Sequence, residues 1–121
     1  MALASRADYT PRMLRLAAVA EGDRGAATAR VRDAFSAADA WITDVHFFSG
    51  VQTVFVFETA SDRIERLRDA LADGAITLND ASLEALEGAR TPARGEVTGT
   101  LAVTFMDGEL DLAHEVPRIP G

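Results

Sequence analysis

Residues 12–25 read RMLRLAAVAEGDRG, and this stretch decides the fold that we expect. Leu14 and Leu16 alternate with other side chains, which predicts a strand with one buried face. Two glycines bracket the turn at residues 21–25. Apolar side chains then recur at helical spacing across residues 27–38, which predicts an amphipathic helix. A strand that leads through a tight turn into a helix is the first unit of a small α+β domain.

Residues 41–58 are rich in β-branched and aromatic side chains and are interrupted once by a Ser-Gly pair. Two such runs around a two-residue glycine turn predict a β-hairpin. A register through that turn pairs Ile42 with Phe57 and His46 with Thr53. Both predicted faces of this hairpin are apolar: one holds Ile42, His46, Phe48, Phe55 and Phe57, and the other holds Trp41, Val45, Phe47, Val54 and Val56.

The second apolar face of this hairpin predicts a partner. Helices on one side of a sheet leave the other side in contact with solvent. Soluble monomers rarely expose a large contiguous apolar patch. We therefore expect a homodimer, in which a second copy of the chain covers the face that holds Trp41, Val45, Phe47, Val54 and Val56.

The rest of the chain predicts two further helices and up to three strands. A capping-box pattern opens a helix that ends before Gly74. Residues 76–78 indicate a short strand, and residues 80–87 indicate a two-turn helix. Residues 97–106 and 110–116 alternate around an Asp-Gly pair, which predicts a C-terminal hairpin.

The order strand, helix, strand, strand, helix, strand is the ferredoxin-like arrangement. We predict an α+β fold, a ferredoxin-like βαββαβ sandwich with an extra C-terminal β-hairpin strand. Its sheet should be antiparallel, with two principal helices on one face. The fourth strand is either residues 97–106 or residues 76–78, and in the second case the C-terminal hairpin is a separate lid or arm. One domain should cover residues 12–116, between tails at residues 1–11 and 117–121.

Charge and composition exclude several classes of function. A net charge of −7 disfavours binding to nucleic acid or to an anionic membrane surface. The absence of cysteine excludes a thiolate nucleophile, and the absence of lysine excludes Schiff-base catalysis. No apolar run approaches the length that crosses a bilayer. We expect a cytoplasmic protein without a metal or cofactor, and we interpret Arg63, Arg66 and Arg68 as a solvated helix face.

The turn formed by Gly22, Asp23, Arg24 and Gly25 is a candidate binding site for an anion. Backbone N–H groups at a helix start can receive a carboxylate. Gly25 would let the carboxylate approach the backbone, and Arg24 could hold it by a charge-assisted hydrogen bond. In the alternative interpretation, Asp23 caps the helix and the turn binds nothing.

The segment from Leu14 to about Leu78 resembles an ACT domain, a small regulatory module that commonly binds amino acids. ACT domains often carry Asp-Arg-Pro-Gly in this turn, and Asp23-Arg24-Gly25 matches it without the proline. Trp41 stands where the family has an asparagine at the start of the second strand. The resemblance implies a non-catalytic module that binds an amino acid or small carboxylate through residues 22–25 and Trp41.

Two histidines and one aspartate support an alternative function. Asp44 and His46 are two residues apart on a strand, so both should point to one face. A carboxylate beside an imidazole can form a general base or two ligands of a metal. His114 should project from the apolar face of the C-terminal hairpin. These residues would serve a small dimeric enzyme of the α/β-barrel kind, and a structural or partner-binding role is also open. We favour the non-catalytic module, because no nucleophile–base pair or metal set is visible in the sequence.

Overall fold

The computed structural model describes residues 12–90 and 95–106. Within them the chain has an α+β fold with a five-stranded mixed sheet and three helices. In chain order, the elements are β1 (Arg12–Glu21), α1 (Arg24–Ala37), β2 (Trp41–Ser49), β3 (Gln52–Ala60), a 3-10 turn (Ser61–Arg63), α2 (Ile64–Asp73), β4 (Ile76–Leu78), α3 (Asp80–Ala89) and β5 (Glu96–Met106). The predicted strand at 110–116, with His114, and both predicted tails lie outside the described residues.

The sheet has the order β2-β3-β5-β1-β4. Both candidates for the fourth strand are therefore part of it. β4 pairs antiparallel with β1 at one edge, whereas β5 lies at the centre, parallel to β1 and antiparallel to β3. The prediction of an antiparallel sheet is wrong for the β1–β5 pair. Without β5 the order would be β2-β3-β1-β4, which is compatible with a ferredoxin-like arrangement.

The hairpin of β2 and β3 differs from its predicted register at two places. Ile42 pairs with Phe57 as predicted, but His46 pairs with Val54 and not with Thr53. The register shifts between Ile42 and Asp44, and again between Phe47 and Ser49. Such irregularities place an extra residue on one strand, which moves the following side chains to the other face.

This shift corrects the predicted faces of the hairpin. Val45 pairs with Phe55, and Phe47 pairs with Thr53. Phe55 and Thr53 are buried, and directly paired residues share a face. Val45 and Phe47 therefore lie on the helix side of the sheet, not on the predicted second apolar face. His46 lies opposite them, so its predicted place beside Phe55 is wrong.

The hydrophobic core lies between the sheet and the helices α1 and α2. We call this side of the sheet the covered face. Phe35 of α1 meets Phe57 of β3 there, with ring centroids 5.1 Å apart. Gly99 of β5 makes room for this pair, since a Cβ at that position would lie 2.7 Å from Phe57 Cζ and 2.9 Å from the Leu14 carbonyl oxygen. The two predicted principal helices thus lie on one face.

Helix α3 and the residue before it contact the edge of β1 that β4 leaves unpaired. Strand β4 pairs only with residues 18–20 of β1. Beyond it, the Ala17 N–H donates to Ser82 Oγ at 2.8 Å, and the Asn79 N–H donates to the Ala17 carbonyl oxygen at 3.1 Å. The Asn79 side chain also caps α3 by accepting from the Ser82 N–H at 2.8 Å. These bonds satisfy a stretch of edge backbone that would otherwise be open to another chain. None of the helices described here is long and apolar enough to span a membrane.

Candidate functional site

The turn before α1 has the geometry of a capped helix start. Asp23 is the N-cap, and its carboxylate accepts from the Ala26 N–H at 2.9 Å. Gly22 has a φ of +102°, a backbone conformation that favours glycine. The Arg24 guanidinium carbon lies 5.1 Å from the centre of the Phe47 ring, in a cation–π contact. A Cβ on Gly25 would lie 3.4 Å from Asp23 Oδ1, so an anion near Gly25 would meet the Asp23 carboxylate. Carboxylate binding at this turn stays a prediction.

Trp41 lies at the opposite end of the sheet from this turn. β1 and β2 run in the same direction, because β1 is parallel to β5 and two antiparallel pairings separate β5 from β2. Trp41 opens β2, whereas residues 22–25 follow the end of β1. The structure therefore does not bring Trp41 to the predicted anion-binding turn.

A cavity of about 420 Å³ adjoins Trp41 on the helix side, and we call it the Trp41 cleft. Its apolar lining residues include Phe35, Ile42 and Trp41, and Trp41 is 65% exposed. Its charged lining residues are Arg32, Asp39 and Arg63.

Positive charge predominates around the Trp41 cleft. Arg63 and Arg66 both reach Asp39 Oδ2, at 3.2 and 3.3 Å. The guanidinium of Arg32 forms no ion pair or hydrogen bond within residues 12–90 and 95–106. Two arginines thus pair with the one carboxylate of the cleft, and a third, Arg32, lines it in a chain whose net charge is −7. An anion in the cleft could therefore form a charge-assisted hydrogen bond with Arg32 without breaking an ion pair between described residues.

A second cavity, of about 340 Å³, is also lined by Trp41. Its other lining residues include Glu58, Glu96 and Thr59. The Thr59 hydroxyl is buried and has no hydrogen-bond partner among the described residues. Trp41 therefore belongs to the lining of both cavities, of which one includes acidic residues and the other includes arginines.

Asp44 and His46 project from the same face, as the sequence predicts. His46 Nε2 lies 3.1 Å from Asp44 Oδ2, and both side chains are more than half exposed. Asp44 Oδ1 also accepts from the Val45 N–H at 2.8 Å, which fixes the carboxylate. The carboxylate can orient the imidazole for proton transfer. Among the described residues no group of three His, Asp or Glu side chains could hold a metal ion.

The chain matches no protein-family model, no curated protein sequence and no solved structure. The resemblance to ACT domains therefore depends on the residues quoted above.

The Trp41 cleft is not among the sites that the sequence predicts. Arg63 does not lie on a helix face as predicted, because it belongs to the 3-10 turn before α2 and pairs with Asp39. Asp39 follows the end of α1 with a φ of +58°, and its carboxylate contacts Arg63 and Arg66 more than twenty residues later in the chain. The one available signal was Trp41 itself, a large aromatic residue at the start of an edge strand.

Proposed function

We propose that this protein is a non-catalytic homodimeric module that binds a small carboxylate, amino acids included, in the Trp41 cleft. One observation carries the proposal: Arg32, Arg63 and Trp41 line one cavity in an acidic chain. The ferredoxin-like interpretation of the fold and the resemblance to ACT domains support a regulatory role.

The chemistry of the cleft fits a small organic anion. Guanidinium groups bind carboxylates through charge-assisted, often bidentate hydrogen bonds. The apolar part of the ligand would lie against Phe35 and Trp41. The volume of about 420 Å³ falls in the usual range for small-molecule pockets, roughly 300–1,000 Å³.

The cleft is a better site for an anion than the turn at residues 22–25. In the turn, the Asp23 carboxylate already accepts a helix N–H, and Arg24 lies over Phe47. In the cleft, Arg32 is unpaired among the described residues and two further arginines share Asp39.

Trp41 is the chain's one tryptophan, so its fluorescence reports on the cleft directly. We would titrate the protein with amino acids and with short mono- and dicarboxylates, and follow emission and melting temperature. Arg32→Gln should weaken binding by roughly ten- to a hundredfold, the usual effect of losing a charge-assisted hydrogen bond. Asp39→Asn should strengthen binding, because it removes a competing carboxylate while asparagine tolerates the positive φ.

Two variants serve as controls. Arg90→Gln removes an exposed arginine that pairs with Glu65 and Glu87, away from the cleft, and should leave binding unchanged. Arg24→Ala tests the turn. If Arg24→Ala abolishes binding while Arg32→Gln does not, the ligand binds at the turn. If no carboxylate changes emission or melting temperature at millimolar concentration, the cleft is not a carboxylate site and Arg63 and Arg66 only pair with Asp39.

A second candidate function is a small dimeric enzyme that uses the Asp44–His46 pair. The contact of 3.1 Å between the carboxylate and the imidazole favours it. The α/β-barrel kind of enzyme would place this pair in a cleft between two sheets. Loss of turnover of a carbonyl or ester substrate in His46→Gln, with carboxylate binding unchanged, would support this function over the binding module.

A further inference from the structure

The surface between α1 and the edge strand β2 is basic on one side and apolar on the other, and we call it the α1–β2 surface. Two contacts hold the two sides together: the Arg24 guanidinium lies over the Phe47 ring, and Arg32 lines the Trp41 cleft together with Ile42. Helical residues four apart lie on one side of a helix. The α1–β2 surface therefore consists of the α1 residues Arg24, Thr28 and Arg32 and the β2 residues Ile42, Val45 and Phe47.

The apolar side of this surface is incompletely covered. Phe47 is 64% exposed, although Thr53, its partner on β3, is fully buried. The next residue, Phe48, is 68% exposed. The Thr28 hydroxyl oxygen is buried and has no hydrogen-bond partner among the described residues. Exposed apolar patches mark interaction sites, so we looked for an occupant of this surface.

The basic side of the surface has two guanidinium groups without an acidic partner. Neither Arg24 nor Arg32 forms an ion pair with a described residue. Asp33 lies on the other side of α1, where it lines a cavity against α2. The carboxylates at the two ends of α1, Asp23 and Asp39, already have partners. The surface therefore favours an occupant with one acidic and one apolar side.

The chain that follows β5 has this pattern. Residues 107–116 read DGELDLAHEV and contain no arginine or lysine. Acidic residues at positions 109, 111 and 115 alternate with apolar residues at positions 110, 112 and 116. Successive side chains of an extended segment point to opposite sides, so this segment would be acidic on one side and apolar on the other. β5 offers it no free edge, because β1 and β3 pair with β5 along nearly its whole length.

The segment starts within reach of the α1–β2 surface. Met106 pairs with Glu21, and its carbonyl oxygen accepts from the Gly22 N–H at 3.4 Å, so β5 ends beside the turn before α1. β2 and β5 run in the same direction, which places Phe47 at the same end of the sheet. Two strand spacings separate β5 from β2, and about three extended residues cover these roughly 10 Å.

We propose that residues 109–116 lie in extended conformation on the α1–β2 surface of their own chain, with Asp111 at Arg24 and Glu115 at Arg32. The spacings agree. Eight helical residues separate the two arginines by about 12 Å, and four extended residues separate the two carboxylates by about 13 Å. The apolar side of the segment then covers the exposed side chains of β2.

This contact has a consequence for the Trp41 cleft. Glu115 would occupy the position at Arg32 that a carboxylate ligand needs, so the segment competes with that ligand inside the same chain. This regulatory consequence rests on the proposed function, whereas the position of the segment does not. A ligand bound in the cleft displaces the end of the segment from Arg32.

A nitroxide label in the full chain locates the segment. The chain has no cysteine, so Ala113→Cys provides a single attachment site. The amide NMR signals of Thr28 and Val45 should lose most of their intensity, whereas that of Thr77, on β4 at the far edge of the sheet, should not. The strongest loss at Thr77, or at Ala17 of β1, would overturn the proposal.

A mixing experiment distinguishes the chain's own segment from that of a second copy. Labelled protein without isotopes is mixed with unlabelled protein enriched in ¹⁵N. Signal loss at Thr28 in the unlabelled chain would show that the segment comes from another copy, and would overturn the contact within one chain. Unchanged signals in the mixture support it.

Charge reversal tests the contact between Asp111 and Arg24. Arg24→Asp should abolish the signal loss at Thr28, because it places two carboxylates together. Arg24 is exposed, so this variant should fold. Combining Arg24→Asp with Asp111→Arg should restore the loss. Glu84→Arg, at an exposed position of α3, changes the net charge equally and should have no effect. Failure of the combined variant to restore the loss would overturn this pairing.

Carboxylate titrations of Trp41 emission test the competition. Glu115→Gln should strengthen carboxylate binding by up to about tenfold, because it removes the internal competitor. Glu84→Gln is the matched control and should leave the affinity unchanged. An unchanged affinity in Glu115→Gln overturns the competition. If carboxylates bind but the label affects neither Thr28 nor Val45, this inference alone fails. If no variant binds a carboxylate, the proposed function fails, and the label still determines where the segment lies.

Discussion

The two faces of the sheet differ in how deeply their side chains are buried, although the same strands supply both. On β5, Val97, Leu101, Val103 and Phe105 are buried on the covered face, whereas the alternating positions are threonine or alanine and half-buried. The covered face is filled by tightly fitting apolar groups from one chain. The open face, on the side of the sheet opposite the helices, is only moderately apolar and carries charged residues such as Glu58. The stability of the fold therefore depends mainly on the covered face.

Phe57→Ala should give the largest loss of stability. The ring is fully buried and meets Phe35, so truncation should lower the free energy of unfolding by about 3–5 kcal/mol. Thr98→Ala, on the open face of β5, should change it by less than about 0.5 kcal/mol. Urea denaturation followed by circular dichroism measures both. Similar losses for the two variants would contradict the distinction between the faces.

Gly99→Ala should destabilise the protein by about 1–3 kcal/mol, the usual cost of overpacking a core. The added methyl group would lie 2.7 Å from Phe57 Cζ, and the backbone beside it cannot yield cheaply. Gly50→Ala is the matched control, since nothing lies within 4 Å of a Cβ there. Melting temperatures measure the difference in stability between the two variants, and equal values would contradict a close fit at Gly99.

Ser82→Ala should lower the unfolding free energy by about 1–3 kcal/mol, because the Ala17 N–H would lose its hydrogen-bond acceptor. Thr77→Ala, at the exposed position of β4, should have little effect. Amide hydrogen exchange should show faster exchange at Ala17 in the serine variant. Unchanged protection at Ala17 would mean that α3 does not hold this edge of β1.

Asp23→Ala should have the smallest effect, about 1 kcal/mol, from the loss of a helix N-cap. Carboxylate binding in the Trp41 cleft should not change. A rise in carboxylate affinity on removing Asp23 would instead show that the turn receives the ligand.

Most elements could be predicted from the sequence, since local periodicity determines them. The α1 helix and the common face of Asp44 and His46 follow from spacing alone. The predicted Ser49-Gly50 turn is wrong by one residue, because Ser49 pairs with Gln52 and the turn consists of Gly50 and Val51. The irregularities in β2 could not be predicted, because nothing between Ile42 and Ser49 differs from a regular strand. They moved Val45 and Phe47 to the covered face.

The pairing of strands that are distant in the sequence could not be predicted either. Apolar and polar side chains alternate in both β4 and β5, and this alternation does not reveal that both strands pair with β1. The Trp41 cleft combines Arg32 of α1, Asp39 of the loop after α1 and Arg63 of the 3-10 turn before α2. Arg63 is distant from the other two in the sequence and meets them only in the folded chain.

The central position of β5 has a consequence for how the chain folds. β1 pairs with β5 from Arg12–Val97 to Glu21–Met106, so the middle of the sheet joins distant parts of the sequence. Contacts of this kind close long loops and slow folding. During synthesis, β1 and β3 leave the ribosome before residues 96–106, so neither can form its native pairing with β5 until then. We expect nascent chains shorter than this to depend on chaperones, and β5 to complete the sheet in a late, cooperative step.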